Sequence, residues 1–429
     1  MQTIQTILLC TVGGSHQPII SAINELHPDF VVFICTANDP ATGRPGSIVQ
    51  IIDKDYCIKA HSQDDKPSLP NIPTQAGLQE SQFEALTTSA DDLDQIYSDC
   101  NQAIDRLTTD YPEAKLYADY TGGTKSMSAG LIMAALENPD IELQLVTGNR
   151  SDLIKVHDGS QFSAQANIEK IRLQRQITPF KQCWRRYAYS EAEAGLKNIR
   201  TPGDTQLRAA LNRFRELSQA FAEWDNFNHD IAFPILKRYA PKLPQTMKPY
   251  IDIAMRLNDR DQNKRNAARL YDLYLNALRR AHQGRYDDAT ARIYRLIEWS
   301  AQWLLWQHCQ IETNNVADEQ IPDQVKLSKN REGQWQAGLF QAWQLVKYKT
   351  HGGAAKFIKE HENTLLNHIK IRNQSILAHG CSPINQTQWQ PLQDFMQELF
   401  IPMMLKETQA VGIKLSDQLP DQYSELLFQ

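Results

Sequence analysis

The feature that most constrains the fold of this chain is a change of rhythm near Gln165. Before it, short apolar runs rich in β-branched residues lie at Ile4–Val12, Phe30–Thr36, Lys115–Tyr120 and Ile141–Thr147. Between them stand stretches of helical periodicity at Gln17–Leu26, Asp91–Thr109 and Thr124–Glu137. Runs of that length and branching are expected to be buried strands. Strands alternating with helices build right-handed βαβ units, and hence a mainly parallel sheet with helices on both faces. Beyond Gln165 the periodicity is helical almost to the C-terminus. The expected architecture is an α/β, Rossmann-like domain over 1–164, an all-α connector over 165–260 and an all-α bundle over 261–429. Pro241, Pro244 and Pro249 punctuate the second border. Ala60–Gly77, rich in Pro, Asp, Ser and Gln, reads as a surface loop or poorly ordered insertion, and Thr313–Gly333 as a long loop. No tandem repeat or sustained heptad is visible.

Composition narrows the function classes. Across 429 residues, 45 Lys and Arg against 50 Asp and Glu leave a net charge of −5. A dedicated duplex binder is usually basic, so any nucleic-acid contact here rests on local patches. The seven cysteines are scattered and form no CxxC. Neither a disulfide framework nor a zinc ribbon fits that pattern, and free thiols suit a reducing cytosol. No basic patch precedes the first apolar run, so a secretory signal is not expected. Runs such as Phe30–Cys35 are far too short to span a bilayer. A soluble cytoplasmic protein without membrane contact is expected.

Two glycine-rich turns stand at strand ends. Thr11-Val12-Gly13-Gly14-Ser15-His16 follows the first strand, and Asp119-Tyr120-Thr121-Gly122-Gly123-Thr124-Lys125-Ser126 follows a later one; each opens a helix. In a doubly wound sheet, ligands bind at the carboxyl ends of strands. Glycines admit close backbone approach, and the free N–H groups of a helix start favour an anion. Thr121, Thr124 and Ser126 add hydroxyls, and Lys125 a charge. The second turn is not a triphosphate P-loop, because Thr124 stands where that motif needs Gly before Lys125. GxGxxG is absent after the first strand.

The C-terminal half carries Arg372 and His379, seven residues apart on a helix expected over Glu362–Ala378, with Leu365, Leu366, Ile369, Ile376 and Leu377 as its apolar contacts. Gly380 suits its C-terminal cap, and Pro383 follows. On a continuous helix the pair differs by only about 20° in direction and lies about 10 Å apart. That span is long for one site, and becomes workable when two copies meet across a two-fold axis. The residue types fit metal-independent RNA cleavage. Histidine titrates near neutrality and serves as base or acid. Arginine stays charged and braces phosphate oxygens. Asn373 can orient a neighbour or the phosphate by hydrogen bonding.

Other motifs fail or have bland readings. His361-Glu362 opens like HExxH, but Leu365 stands where the second His belongs. Arg265, Arg269, Arg279, Arg280, Arg285, Arg292 and Arg295 make a basic stretch that guides RNA or forms a solvated helix face. Trp299, Trp303 and Trp306 fit core or dimer interface better than base-stacking platforms.

Taken together, the pattern resembles a known family. Arg372-Asn373-Gln374-Ser375-Ile376-Leu377-Ala378-His379 resembles the R-x4–6-H signature of HEPN ribonucleases, and Gly284–Glu298 the opening of that domain in one CRISPR-associated group. Asp119–Met127 and Thr11–Ser15 resemble the loops of CARF sensor domains. In this order they resemble the CARF–HEPN ancillary ribonucleases of type III CRISPR systems. That resemblance implies a homodimer whose paired CARF domains bind one cyclic oligoadenylate, tetra-adenylate being preferred here over hexa-adenylate. It implies a composite site that cuts single-stranded RNA to 2′,3′-cyclic phosphate and 5′-hydroxyl ends, with no metal. The implied catalytic residues are Arg372 and His379, supported by Asn373. The implied activator pocket comprises Thr11, Gly13, Gly14, Ser15, Thr121, Gly122, Gly123, Thr124 and Lys125. The alternatives are a non-catalytic cyclic-nucleotide sensor, and a CARF domain that also acts as a ring nuclease on its own activator.

Overall fold

Strands that are apolar at every position need cover on both faces, and the N-terminal unit supplies it. The protein is described here from a computed structural model covering residues 4–41, 43–59, 68–147, 162–373, 376–377 and 380–423. The chain divides into two compact units, 1–174 and 175–429. In the first, β1 (Thr6–Thr11), β2 (Phe30–Thr36), β3 (Phe83–Thr88), β4 (Lys115–Asp119), β5 (Ile141–Thr147) and β6 (Phe162–Gln165) form one sheet in the order β3-β2-β1-β4-β5-β6. The first five strands are parallel, and β6 runs antiparallel to β5. Leu8 and Cys10 pack toward α1 (Gln17–Leu26). Ile7 and Leu9 face α2 (Leu93–Asp110) and α3 (Lys125–Glu137).

The expected α/β domain followed by helices is what the protein adopts. β2, β5 and α1 have the bounds expected from the sequence. Two strands were not expected. Both β3 and β6 are edge strands with no fully buried residue, so neither needed an apolar run. Part of Ala60–Gly77 also departs from the loop reading. Residues 60–67 lie outside the described residues, but Leu69–Pro70 pairs with Cys57–Ile58, and Ile72–Gln75 is a helical turn. Asn71, 1 % exposed, anchors this segment: Nδ2 donates to the carbonyls of Ile51 (3.2 Å) and Asp53 (2.8 Å), and Oδ1 caps the turn at Thr74. A buried amide satisfied in this way pins the backbone.

Helix α4 (Glu169–Arg185) crosses into the second unit. There follow α5 (Tyr189–Lys197), α6 (Thr205–Asp225), α7 (His229–Tyr239), α8 (Pro249–Leu257), α9 (Gln262–His282), α10 (Tyr286–Cys309), α11 (Leu339–Lys349), α12 (Gly353–Asn373), α13 (Gln386–Phe395) and α14 (Ile401–Gln409). Among the described residues, no helix is long and apolar enough to cross a membrane. Three helix pairs are joined by the same turn. Tyr187, Phe227 and Gly284 take positive φ (56°, 68°, 74°). In each, paired backbone bonds close the preceding helix, as from Ala188 to Cys183, Asn228 to Glu223 and Arg285 to Arg280, all 2.9 Å. These are Schellman closures. Only the third uses glycine. At the other two an aromatic residue takes the left-handed conformation, and its ring packs edge-on against His282 or His229.

A buried polar network ties α6, α7, α9 and α10 together. Arg279, 0 % exposed, donates from Nε to Asp225 Oδ1 (2.7 Å) and from Nη1 to Gln418 Oε1 (2.6 Å). Arg280 also bonds Asp225, and Asn276 Nδ2 donates to the Asp225 carbonyl (2.7 Å) and carboxylate (3.1 Å). Asp272 accepts from Trp224 Nε1 (2.9 Å) and lies 2.8 Å from His229 Nε2. Arg292 bonds Asn276 Oδ1 and Asp288. Of the basic stretch expected to guide RNA or face solvent, Arg279 and Arg280 are buried, while Arg285 and Arg295 keep to the surface in local ion pairs. Arg265 and Arg269 cap the carbonyls of Asp259 and Leu257, and Arg285 and Arg295 pair with Asp288 and Glu298. Asp225→Ala would leave two buried guanidinium groups without their carboxylate. It is expected to lower unfolding stability by about 3–5 kcal/mol, read as a reduced midpoint in urea denaturation.

Candidate functional site

In the N-terminal unit the strand order reverses between β1 and β4, which lie side by side with Cys10 opposite Asp119. The turns following these two strands therefore meet at a topological switch point, where open α/β sheets form their crevices. They interlock closely. A Cβ on Gly122 would lie 2.2 Å from the Thr11 carbonyl oxygen, and Gly123 has φ +75° with Thr11 Cβ 2.8 Å from where its own Cβ would be. Thr11 is wholly buried, and its hydroxyl donates to the Gly122 carbonyl (2.7 Å). Ser128 donates to the same carbonyl (2.9 Å), and Thr121 Oγ1 accepts from the Val146 amide (2.7 Å). Asp119 accepts from the Thr121 amide (2.9 Å), and burial pushes its carboxyl above the usual carboxylate range. Thr124 caps α3 by accepting from the Met127 amide (3.1 Å).

The result is a cleft of about 300 Å³. Of the residues expected to bind a ligand, Gly13, Gly14, Gly123 and Thr124 line it. Thr11, Thr121 and Gly122 instead brace the two turns against each other, while Ser15 and Lys125 are exposed on the same turns without lining the cleft. Its other wall was missed in the sequence. Pro45–Gln50 and Tyr56 close it. Ser47 is held by reciprocal bonds with Thr36 (2.9 Å each), and Gln50 Nε2 donates to the Gly13 carbonyl (2.9 Å). No periodicity marks this arm, and the Pro45-Gly46-Ser47 punctuation was its only signal.

In the second unit, α12 begins at Gly353, nine residues before the expected start, and ends at Asn373. Ile376 and Leu377 lie in a turn and are 58 % and 50 % exposed. They do not make the helix contacts expected of them. The described part of the helix is thus shorter at this end than the expected Glu362–Ala378, and the face expected to hold both Arg372 and His379 runs into residues that lie outside the described ones. Arg372 sits in the last turn of α12, Asn373 is its final residue, and His379 lies outside the described residues.

Arg372 has a partner the sequence did not reveal. Its guanidinium carbon sits 4.3 Å from the ring centroid of Tyr294, on α10. Beyond the motif, the Ile384 amide donates to Asp287 Oδ2 (3.1 Å), tying the following segment to the start of the same helix. His361 and His368 pack on Phe357 and Phe395, both with ring centroids 5.0 Å apart, and burial lowers the His368 pKa. Of the three tryptophans, Trp303 is buried with its indole on the Asn263 carbonyl, Trp299 stacks with Arg295, and Trp306 is 42 % exposed. Among the described residues, no group of three or more His, Cys, Asp or Glu is placed to hold a metal ion.

Residues 258–402 match the family model described as the Csm6 HEPN domain. The chain is similar in structure to Enterococcus italicus Csm6 bound to cyclic hexa-2′-fluoro-hexa-dAMP, with TM-score 0.58 and 12 % identity over 96 % of this chain and 95 % of that one. Can2 from Sulfobacillus thermosulfidooxidans in complex with cyclic tetra-adenylate also matches, at 13 % identity over 55 % of this chain and 66 % of that one. Its TM-score of 0.24 is too low to bear on the fold. No curated protein matches the sequence. The chain thus carries a Csm6 HEPN segment in its helical half and an α/β unit before it, and it has the fold of a Csm6 over nearly its whole length.

Proposed function

We propose that this protein is a cyclic oligoadenylate-activated, metal-independent endoribonuclease of type III CRISPR antiviral defence, working as a cytoplasmic homodimer on single-stranded RNA. The observation that carries the reading is Arg372, held over Tyr294 inside the segment that matches the Csm6 HEPN domain. In the proposed reaction the ribose 2′-oxygen attacks its own phosphorus while a histidine takes its proton. The bond from phosphorus to the 5′-oxygen breaks, and an acid returns a proton to that oxygen. The products are a 2′,3′-cyclic phosphate and a 5′-hydroxyl. His379 supplies the proton transfer. Arg372 braces the phosphoryl oxygens as charge builds on them, and Asn373 orients the phosphate. Each chain contributes one such set, so a dimer supplies both a base and an acid.

The switch-point cleft is the proposed activator site. Its floor is backbone at the start of a helix, which favours an anion. Lys125 stands at the first position of α3, where the helix dipole disfavours a cation. An anionic ligand offsets that cost. Phosphate groups of a cyclic oligoadenylate fit this chemistry, and the structurally similar E. italicus protein was captured with such a ring. Tetra-adenylate remains the ring we favour.

The purified dimer is expected to cut single-stranded RNA in EDTA only when a cyclic oligoadenylate is supplied, and a panel of ring sizes separates tetra- from hexa-adenylate. His379→Ala and Arg372→Ala are expected to abolish cutting while leaving activator binding intact; RNA cutting at the wild-type rate by both variants would sink the catalytic assignment. Gly122→Ala drives a methyl group into the Thr11 carbonyl. It is expected to weaken activator binding roughly ten-fold or more, about 1.4 kcal/mol per decade, measured by titration calorimetry.

A further inference from the structure

We propose that Tyr294 is a positioning residue for Arg372, its ring face holding the guanidinium in place for the phosphate. This rests on the reading of Arg372 as catalytic. Three observations carry it. The contact is close, with the guanidinium carbon 4.3 Å from the ring centroid, well within the range at which a cation is drawn to an aromatic face. The contact also joins two separate helices, since Arg372 lies in the last turn of α12 and Tyr294 within α10. Finally, the ring stands on a braced helix. Two residues before it, Arg292 is fixed to Asp288 and Asn276, and one residue after it, Arg295 is paired with Glu298.

The chemistry explains why a ring suits this place better than a carboxylate. A carboxylate binds the edge of a guanidinium, occupying its in-plane N–H groups and cancelling its charge. An aromatic ring binds the flat face. It leaves the charge intact and makes no demand on the in-plane donors, which are the groups that grip phosphate oxygens in a bidentate manner. At the end of a helix, where the last turn frays readily, a side chain as long as arginine samples many rotamers unless something restrains it. The Tyr294 face is one such restraint, and it acts on the plane of the guanidinium. Arg372 then meets the phosphate pre-oriented, and the saving falls on the chemical step rather than on RNA binding.

The test compares substitutions at 294 in the full-length protein with saturating cyclic oligoadenylate. Tyr294→Leu is expected to lower kcat roughly 3- to 30-fold, the range spanned by exposed to desolvated cation–π contacts, with the KM for RNA and activator binding little changed. Tyr294→Phe keeps the face and is expected to restore most of the rate. A series of increasingly fluorinated phenylalanines at 294 keeps the shape while weakening the ring quadrupole, and kcat is expected to fall step by step along it. A flat series, or a Phe variant as slow as Leu, overturns the proposal even if the Leu variant folds poorly. Arg372→Ala run alongside separates the two readings. If it cuts normally, the catalytic assignment fails; if it is dead while the fluorinated series is flat, only the role of Tyr294 fails.

Discussion

The helical half depends on one buried ion pair, Arg279 with Asp225. Neither side chain reaches solvent to any extent, with Arg279 0 % and Asp225 9 % exposed. Taking both from water costs several kcal/mol per ion, and mutual attraction returns that only when the geometry is well met. The fit is good though incomplete, since among the described residues Arg279 Nη2 and Arg280 Nε find no hydrogen-bond partner, Nη2 lying 3.8 Å from Asp272 Oδ1. A pair of this kind adds little net stability, but it strongly penalises any arrangement that separates its members. Asp225 ends α6, and Arg279, Arg280 and Asn276 share α9. The pair therefore fixes the register of α6 on α9. Through Asn276 and Arg292 that constraint passes to α10 and so to the ring beneath Arg372.

The two functional regions solve their placement problems by different means. The switch-point cleft is made of backbone. Its turns approach so closely that side chains are excluded at Gly122, and the polar groups nearby, from Thr11 to Ser128, are spent in holding the turns together. A cleft so built is rigid before any ligand arrives. The Arg372 region is made of side chains, joined across helices by a stack and a network. Its geometry follows the packing of α10 and α12, so small helix displacements are felt directly at the guanidinium. A preformed cleft and a packing-dependent arginine are the two properties that the ligand-switched enzyme proposed above would need.

What the sequence made legible follows the strength of the local signal. The central strands were plain because a parallel sheet buries both faces, so β1 and β2 are apolar at nearly every position. The edge strands β3 and β6 were not, because one free edge and partial exposure relax that demand. The glycine turns were visible as turns, but the division of labour within them was not: Thr11 and Thr121 read as ligand hydroxyls and turned out to be consumed in bracing. The arginine stretch over Arg265–Arg295 looked like a surface. Asp225, the partner of its buried members Arg279 and Arg280, stands more than thirty residues upstream of it, beyond the reach of any local pattern. The three matching Schellman turns were also hidden. Tyr187, Phe227 and Gly284 share a backbone conformation but no side-chain type, and only the alanines five residues on, Ala192, Ala232 and Ala289, mark the equivalence.

The same helices also bear on where the helical domain begins. The segment matching the Csm6 HEPN domain spans 258–402. Yet the groups that neutralise its buried charges stand outside it. Asp225 and His229 precede it, as does Trp224, whose indole bonds Asp272, and Gln418, which accepts from Arg279, follows it. Tyr189, also upstream, donates to the Pro420 carbonyl beyond the other end. A chain beginning near residue 258 would lack the carboxylate of Asp225 for Arg279 and Arg280, and both Trp224 and His229 for Asp272, and so could not build this buried network. The helices between Arg175 and Arg260 are thus part of the folded body that carries Arg372. They act on it through the charges they bury against α9.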